Sequence, residues 1–188
     1  MFVETIASTL CLLCLVYSSL GFIPEKIAVT PLKQRSTTHI GMSETMLQST
    51  FSLTSAAAQL AMDAAEKEAS SKGWKVTIAV ADAGGAPLLV KRCDGAFPAS
   101  YDIAVGKAKT AAQFRKPTGV LEDSANVSDG KSRSALLSAP FVLMRGGLPI
   151  FANEVCIGAV GVSGVKPDED ERVATAALNS LNSFTSKL

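Results

Sequence analysis

The chain has 188 residues, of which 47% are apolar and 19% charged, so it is long enough to bury one sizeable core. Its formal net charge is +1, and no basic stripe is interleaved with its few aromatic residues. This composition indicates a single globular domain and argues against nucleic acid as a partner.

The first 45 residues have the composition of a targeting sequence. Residues 6–20 form an apolar run that is too short for a membrane span and fits the core of a signal peptide over residues 1–21. The run departs from the usual pattern in one respect, because the residues before it include Glu4 and no Lys or Arg. Residues 22–45 are basic and rich in Ser and Thr, as transit peptides are. We therefore predict a plastid protein delivered through the secretory pathway, with a plain secreted protein or a signal-anchored protein as alternatives. The mature domain is predicted over residues 46–188, without a stable membrane span.

Hydrophobic periodicity after residue 50 predicts three helices and four strands. Ser52 or Thr54 is suited to cap the first helix, and a Gly-containing turn joins the first two strands into a hairpin. In the first half, the predicted elements are a helix to about residue 70, strands over 74–81 and 87–92, and a helix over 98–114. A polar irregular segment over 118–139, with room for a short helix, follows. The second half is predicted to contain a strand over 141–145 that breaks at 146–147 before 148–150, a turn at 153–154, a strand over 155–162 and a helix over 168–181. The order α-β-β-α-β-β-α predicts one α+β domain, an antiparallel sheet flanked by helices as in profilin or PAS folds.

The helix over residues 98–114 carries a lysine on its inner face. At about 100° per residue, one stripe contains Ile103, Ala104, Lys107, Thr110, Ala111 and Phe114. The opposite, solvated face is predicted to contain Asp102, Gly106, Lys109 and Gln113. A buried ammonium group without a partner is costly, so Lys107 must reach water at the helix edge, pair with an acid, or meet a ligand.

These residues form the predicted binding site. Lys107 and Thr110 are expected to point into a pocket for an anionic ligand, which the backbone N–H groups of Gly146 and Gly147 close from a facing loop. Tyr101 is expected at the mouth of this pocket. On this hypothesis Lys107→Met weakens binding of an anionic ligand and leaves the fold intact, whereas a lysine that only reaches water could be replaced without loss of affinity.

Three glycines near the end of the chain are spaced by three residues. Gly158 and Gly161 lie in the predicted strand and Gly164 closely follows it, so the three do not form the dinucleotide-binding fingerprint, which opens a helix. Glycine inside a strand usually permits close approach of another backbone. We therefore predict packing, rather than ligand contact, at these positions.

The choice of metal ligands is narrow. The single histidine, His39, falls in the predicted targeting segment, so the mature domain has no histidine to offer to haem iron or to a corrinoid cobalt. No cysteine spacing typical of zinc is present, and no metal site is predicted. The side chains left as iron ligands are Cys93, Cys156, Met62, Met144, Tyr101, Lys107 and Thr110. Both methionines are expected in the core.

Four segments resemble one known family. VADAGGAPLLVKRCDGA, DIAVGKAKTAAQFRKPT, RGGLPI and IGAVGVSGVKPDEDERVA occur in the order and spacing of the HbpS-like/GlcG proteins, a domain also found at the C-terminus of some corrinoid adenosyltransferases. The resemblance covers about residues 51–186. It implies the fold, a haem or corrinoid ligand, and a homo-oligomer.

Three functions remain open on this basis. The first is binding of haem, another tetrapyrrole or a similar anionic small molecule, which the resemblance implies. The second is a small enzyme that uses Lys107 on a small carboxylate or a pigment. The third is a ligand-free oligomeric interaction protein. Fold alone does not decide among these three functions.

Overall fold

Four α-helices, one 3-10 helix and four strands make up the part of the chain that the computed structural model describes, residues 50–126 and 133–185. The elements are α1 (Ser55–Ser71), β1 (Thr77–Asp82), β2 (Pro87–Arg92), α2 (Ser100–Phe114), α3 (Thr118–Ala125), the 3-10 helix (Ser134–Ser138), β3 (Gly147–Ala152), β4 (Val155–Ser163) and α4 (Pro167–Thr185). This order confirms the predicted arrangement, and α3 and the 3-10 helix fall in the segment predicted to be irregular. The targeting segments predicted over residues 1–45 lie outside the described residues.

The four strands form one antiparallel sheet in the order β2-β1-β4-β3. The first hairpin turns where predicted, and the carboxylate of Asp82 accepts the N–H groups of Gly84 and Ala86, each at 2.9 Å. The second hairpin turns at Asn153 and Glu154, also as predicted. Both hairpin turns therefore lie at the same end of the sheet, because β1 ends beside the start of β4.

The two faces of the sheet are covered by different kinds of side chain. α1 and α4 pack on one face over a branched apolar core that includes Ile78, Val80, Val160, Val162 and Val173. α2 packs on the other face, where the contact is made of small residues, including Ala79, Ala81, Ala104 and Ala108. The result is a sheet between two helical layers.

Glycine lets α2 lie almost directly on the sheet. A Cβ atom added at Gly161 would collide with the backbone of Ala104 and Ala108, and one at Gly147 would lie 2.6 Å from the carbonyl oxygen of Lys107. Neither collision can be relieved by rotating a side chain, because the obstructing atoms belong to the helix backbone. The packing role predicted for the glycines of β4 is confirmed.

The strand predicted over residues 141–145 is wrong. This segment runs beside α2 instead, where the N–H of Val142 donates to Thr110 Oγ1 at 3.1 Å and the ring of Phe141 contacts Phe114 with centroids 4.8 Å apart. Its polar backbone is thus satisfied by a helix side chain and not by a neighbouring strand. Gly106, predicted on the solvated face, is half-buried for the same reason, since Val142 packs against it.

The helix ends follow local sequence rules at α1 and depart from them at α2. Thr54 caps α1 through its side chain, which accepts the N–H of Ala57 at 3.2 Å. α2 ends at Arg115, which adopts a left-handed conformation with φ of 54°.

None of the helices in the described ranges is both long and apolar enough to cross a membrane.

Candidate functional site

The side chain of Lys107 lies inside the domain, with 2% of its surface exposed. α2 places it there because Lys107 shares the inner helix face with Ala104 and Thr110. Its Nζ atom donates to Asp170 Oδ2 at 2.7 Å and to the backbone carbonyl of Val162 at 2.8 Å. Of the three roles that the sequence leaves open for this lysine, the structure therefore shows pairing with an acid.

Asp170, the partner of Lys107, lies in the first turn of α4 and is also 2% exposed. Its Oδ1 atom accepts the N–H of Val165 at 3.2 Å, and a carboxylate is favoured at this end of a helix. Burial raises the pKa of the Asp170 carboxyl, and the hydrogen bond from Lys107 opposes that shift. Because α2 and α4 belong to opposite layers, the ion pair connects the two layers.

Gly146 lies against this ion pair, and Gly147 lies against the backbone of Lys107. A Cβ atom at Gly146, whose φ is +112°, would lie 2.7 Å from Asp170 Cβ and 3.0 Å from Lys107 Nζ. The N–H of Gly147 donates to Thr118 Oγ1 at 2.8 Å. The prediction that both glycine N–H groups are free for a ligand is therefore wrong for Gly147, whose N–H is used within the fold.

Thr110 and Tyr101 have different surroundings, although both lie on α2. Thr110 is fully buried, and its hydroxyl donates to the carbonyl of Gly106 at 2.8 Å while it accepts the N–H of Val142. Tyr101 is 45% exposed near the start of the helix. Thr110 thus fastens the segment after residue 140 to α2, and Tyr101 is accessible from solvent.

The structure brings Lys107, Gly146 and Gly147 into one buried cluster, and sequence reasoning missed the residue that completes it. Asp170 falls in a run of four acids at the start of α4, which helix electrostatics alone explains. A buried lysine needs an acidic partner, and this need was the signal that could have pointed to Asp170. The sequence does not show which of the four neighbouring acids is the partner. Contact of the five predicted site residues with a ligand stays a prediction.

Exposure separates the candidate iron ligands into two groups. Five of them are buried or half-buried: Met62 at 2%, Cys156 at 8%, Lys107 at 2%, Thr110 at 0%, and Cys93, which packs against the core. Burial also raises the pKa of the Cys93 thiol, which disfavours the thiolate that binds metals. Met144 and Tyr101, at 43% and 45% exposure, are the two accessible candidates. The prediction that Met144 lies in the core is wrong.

Met144 lines an apolar cleft of about 350 Å³, which we call the Met144 cleft. Its lining combines the end of α3, one residue of the 3-10 helix and the segment that follows that helix. The lining residues are Glu122, Ala125, Asn126, Leu137, Phe141, Val142, Leu143 and Met144. This volume lies within the range of small-molecule sites, and most of the lining side chains are apolar. Among the described residues, no group of three or more His, Cys, Asp and Glu side chains is placed to hold a metal ion.

Two curated bacterial relatives match much of the domain. A 15.0 kDa protein from the dhaT–dhaS intergenic region of Citrobacter freundii is 38% identical over 135 residues, which are 70% of this chain and 94% of the relative. Protein GlcG of Escherichia coli K12 is 40% identical over 101 residues, or 53% of this chain and 72% of GlcG.

Solved structures share the fold. Klebsiella pneumoniae ORFY matches with a TM-score of 0.70 and 34% identity, covering 76% of this chain and 98% of ORFY. A double mutant of Streptomyces reticuli HbpS matches with a TM-score of 0.66 and 34% identity, over 72% of this chain and 91% of HbpS. The PduOC–haem complex matches with a TM-score of 0.64 and 24% identity, over 70% of this chain and 96% of PduOC. At this level of identity the match supports the fold alone. The family model described as "Haem degrading protein HbpS-like" matches residues 53–179, and the chain therefore belongs to the HbpS-like family.

Proposed function

We propose that this chain binds haem or another tetrapyrrole in the Met144 cleft. The observation that supports this site most directly is Met144, a residue that is 43% exposed and lines an apolar cleft. Membership of a family described by haem chemistry supports the class of ligand. The description of PduOC as a haem complex adds a protein of the same fold that holds this group.

The residues of the cleft fit the chemistry of a tetrapyrrole. A porphyrin face is large and apolar, and Leu137, Phe141 and Leu143 offer apolar contact on the cleft wall. Met144 would supply a thioether, a soft ligand that haem proteins use at iron. The bound group would supply the redox and oxygen chemistry, while the cleft residues orient it and exclude water from one face.

A haemin titration followed by absorption spectroscopy tests this proposal in the ferric and the reduced state. We expect a saturable shift of the Soret band for the full, untagged chain. Met144→Leu keeps the apolar volume and removes the sulfur, so it should weaken haemin affinity and shift the Soret band of the reduced complex. Met62→Leu is the matched control, because the same change in the core at 2% exposure should leave the spectrum unchanged.

Tyr101→Phe distinguishes the second accessible candidate from the first. This variant removes the phenol oxygen and should leave the titration unchanged if Met144 is the ligand. Loss of the spectrum in Tyr101→Phe but not in Met144→Leu would contradict the Met144 cleft. A chain that shows no saturable haemin binding would contradict the function itself.

A further inference from the structure

A second cavity, of about 510 Å³, lies at the end of the sheet where the two hairpin turns and the C-terminus of α2 meet. We call it the turn cavity. It is lined by Thr50, Phe51, Ser52, Asp82, Ala83, Gly84, Arg115, Glu154, Val155, Cys156 and Ile157. It shares no lining residue with the Met144 cleft, so the two sites can be tested separately.

Two lining residues occupy backbone positions that favour glycine. Arg115 ends α2 with φ of 54° and ψ of 37°, where glycine is the usual residue. Glu154 is the second residue of the two-residue turn between β3 and β4, with φ of 65° after Asn153 at 46°. A turn of this kind prefers Asn followed by Gly. Long side chains at both positions therefore add backbone strain that a glycine would avoid.

Contacts within the described residues do not account for these two side chains. Arg115 and Glu154 are both exposed, and in the described ranges neither forms an ion pair within 4.0 Å with another residue. The other carboxylate on the cavity, that of Asp82, already accepts two backbone N–H groups of its own turn. The cavity thus presents one guanidinium and one carboxylate without ion-pair partners in the described chain.

The rest of the lining is suited to an apolar body. Phe51 and Val155 are 45% and 40% exposed, high values for large apolar side chains, and Ile157, which also lines the cavity, is 6% exposed. We propose that the turn cavity binds a small zwitterion with an apolar body, of the class of an aliphatic α-amino acid. Arg115 holds its carboxylate, Glu154 its ammonium group, and Phe51 and Val155 contact its side chain.

The proposal is tested by calorimetric titration of the full chain with three probes of nearly the same shape. L-leucine carries both charges, isocaproate lacks the ammonium group, and isoamylamine lacks the carboxylate. We expect L-leucine to bind saturably and each of the other two to bind about tenfold or more weakly, since each leaves one charged group of the cavity unpaired.

Arg115→Gly and Glu154→Gly are the decisive variants, because each replaces a strained residue by the one that the backbone prefers. Both variants should unfold within a few degrees of the wild type, because relief of the backbone strain offsets the entropy that glycine adds to the unfolded chain. Both should lose L-leucine affinity by about tenfold or more. Loss of binding then cannot be attributed to loss of the fold. Haemin titrations of both variants should remain unchanged, which separates this proposal from the Met144 cleft.

Three results would overturn the inference. The first is a wild-type chain that does not bind L-leucine saturably at millimolar concentration. The second is unchanged L-leucine affinity in both glycine variants. The third is a fall in unfolding temperature of more than about 5 °C in both variants, because glycine's entropy in the unfolded chain does not explain so large a fall and Arg115 and Glu154 would then be needed for stability.

Discussion

Replacing Lys107 with Met removes one ammonium group and keeps an unbranched apolar stem of similar length. In the wild type, Nζ lies 2.7 Å from Asp170 Oδ2 and 2.8 Å from the carbonyl oxygen of Val162. The variant leaves the Asp170 carboxylate buried at 2% exposure without its cation. Because the buried carboxylate loses its cation, we expect Lys107→Met to lower the free energy of unfolding, in contrast to the intact fold expected from sequence.

The expected magnitude follows from burial. Removing one partner of a buried ion pair typically costs about 3–5 kcal/mol, a large share of the about 5–15 kcal/mol that stabilises a domain. Lys91→Met is the matched control, since Lys91 Nζ lies 2.6 Å from Glu66 but its side chain is 49% exposed. The same substitution there should cost far less, because solvent screens the exposed pair.

Urea unfolding at neutral pH measures these effects. Asp170→Asn removes the charge but keeps an oxygen that can accept the Val165 N–H. The double variant Lys107→Met with Asp170→Asn therefore leaves no unpaired charge in the cluster. It should be more stable than the sum of the two single losses predicts. If Lys107→Met unfolds at the same urea concentration as the wild type, the ion pair does not hold the two layers together and the reasoning is refuted.

The pH dependence provides a second readout for the same variant. Burial raises the pKa of Asp170 in the native state above its ordinary value of 3.8, so the native state binds this proton more tightly than the unfolded state. Its contribution to stability is therefore fully present below 3.8 and decreases as pH rises through the native pKa. Lys107→Met removes the cation that opposes the shift. The stability gap to the wild type should narrow as pH falls from neutral toward 3.8, and the double variant should show no such narrowing.

Further predictions concern packing, assembly and targeting. Gly161→Ala should cost about 3 kcal/mol in urea unfolding, because its Cβ would meet the α2 backbone, whereas Gly84→Ala, 3.3 Å from Asp82 Oδ1, should cost less than about 1 kcal/mol. Light scattering should give a mass well above one chain, and a monomer at micromolar concentration would contradict the proposed homo-oligomer. A reporter fused to residues 1–45 should leave the cytosol for the plastid, and its retention in the cytosol would contradict the predicted plastid targeting.

Sequence predicts most of the fold because most of it is determined locally. The hairpin at residues 82–85, the Thr54 cap and the apolar alternation of β4 are each signalled within a few residues. The strand predicted over residues 141–145 failed because a short apolar run has no local mark that distinguishes pairing with a strand from packing against a helix. Thr110, about thirty residues away, decided the outcome by accepting the Val142 N–H.

The candidate site was predictable only in part, for a related reason. Helical periodicity places Lys107 inside, and the cost of burying its charge demands a partner. That partner, Asp170, is 63 residues away and belongs to a helix in the other layer. The pattern that indicates a buried charge is the same for a ligand-binding lysine and for an internally paired one, so only the three-dimensional arrangement separates the two.

Departures from local rules are informative where they converge. A charged residue where a helix end favours glycine, or where a tight turn favours glycine, is alone a minor exception that many proteins contain. Arg115 and Glu154 are two such exceptions in separate elements, about forty residues apart, and both side chains line the turn cavity. Both positions line one cavity, so we attribute the two exceptions to one cause that acts on the turn cavity. A ligand that needs one positive and one negative group is such a cause, and it predicts that glycine at either position removes binding while the stability of the fold is largely kept.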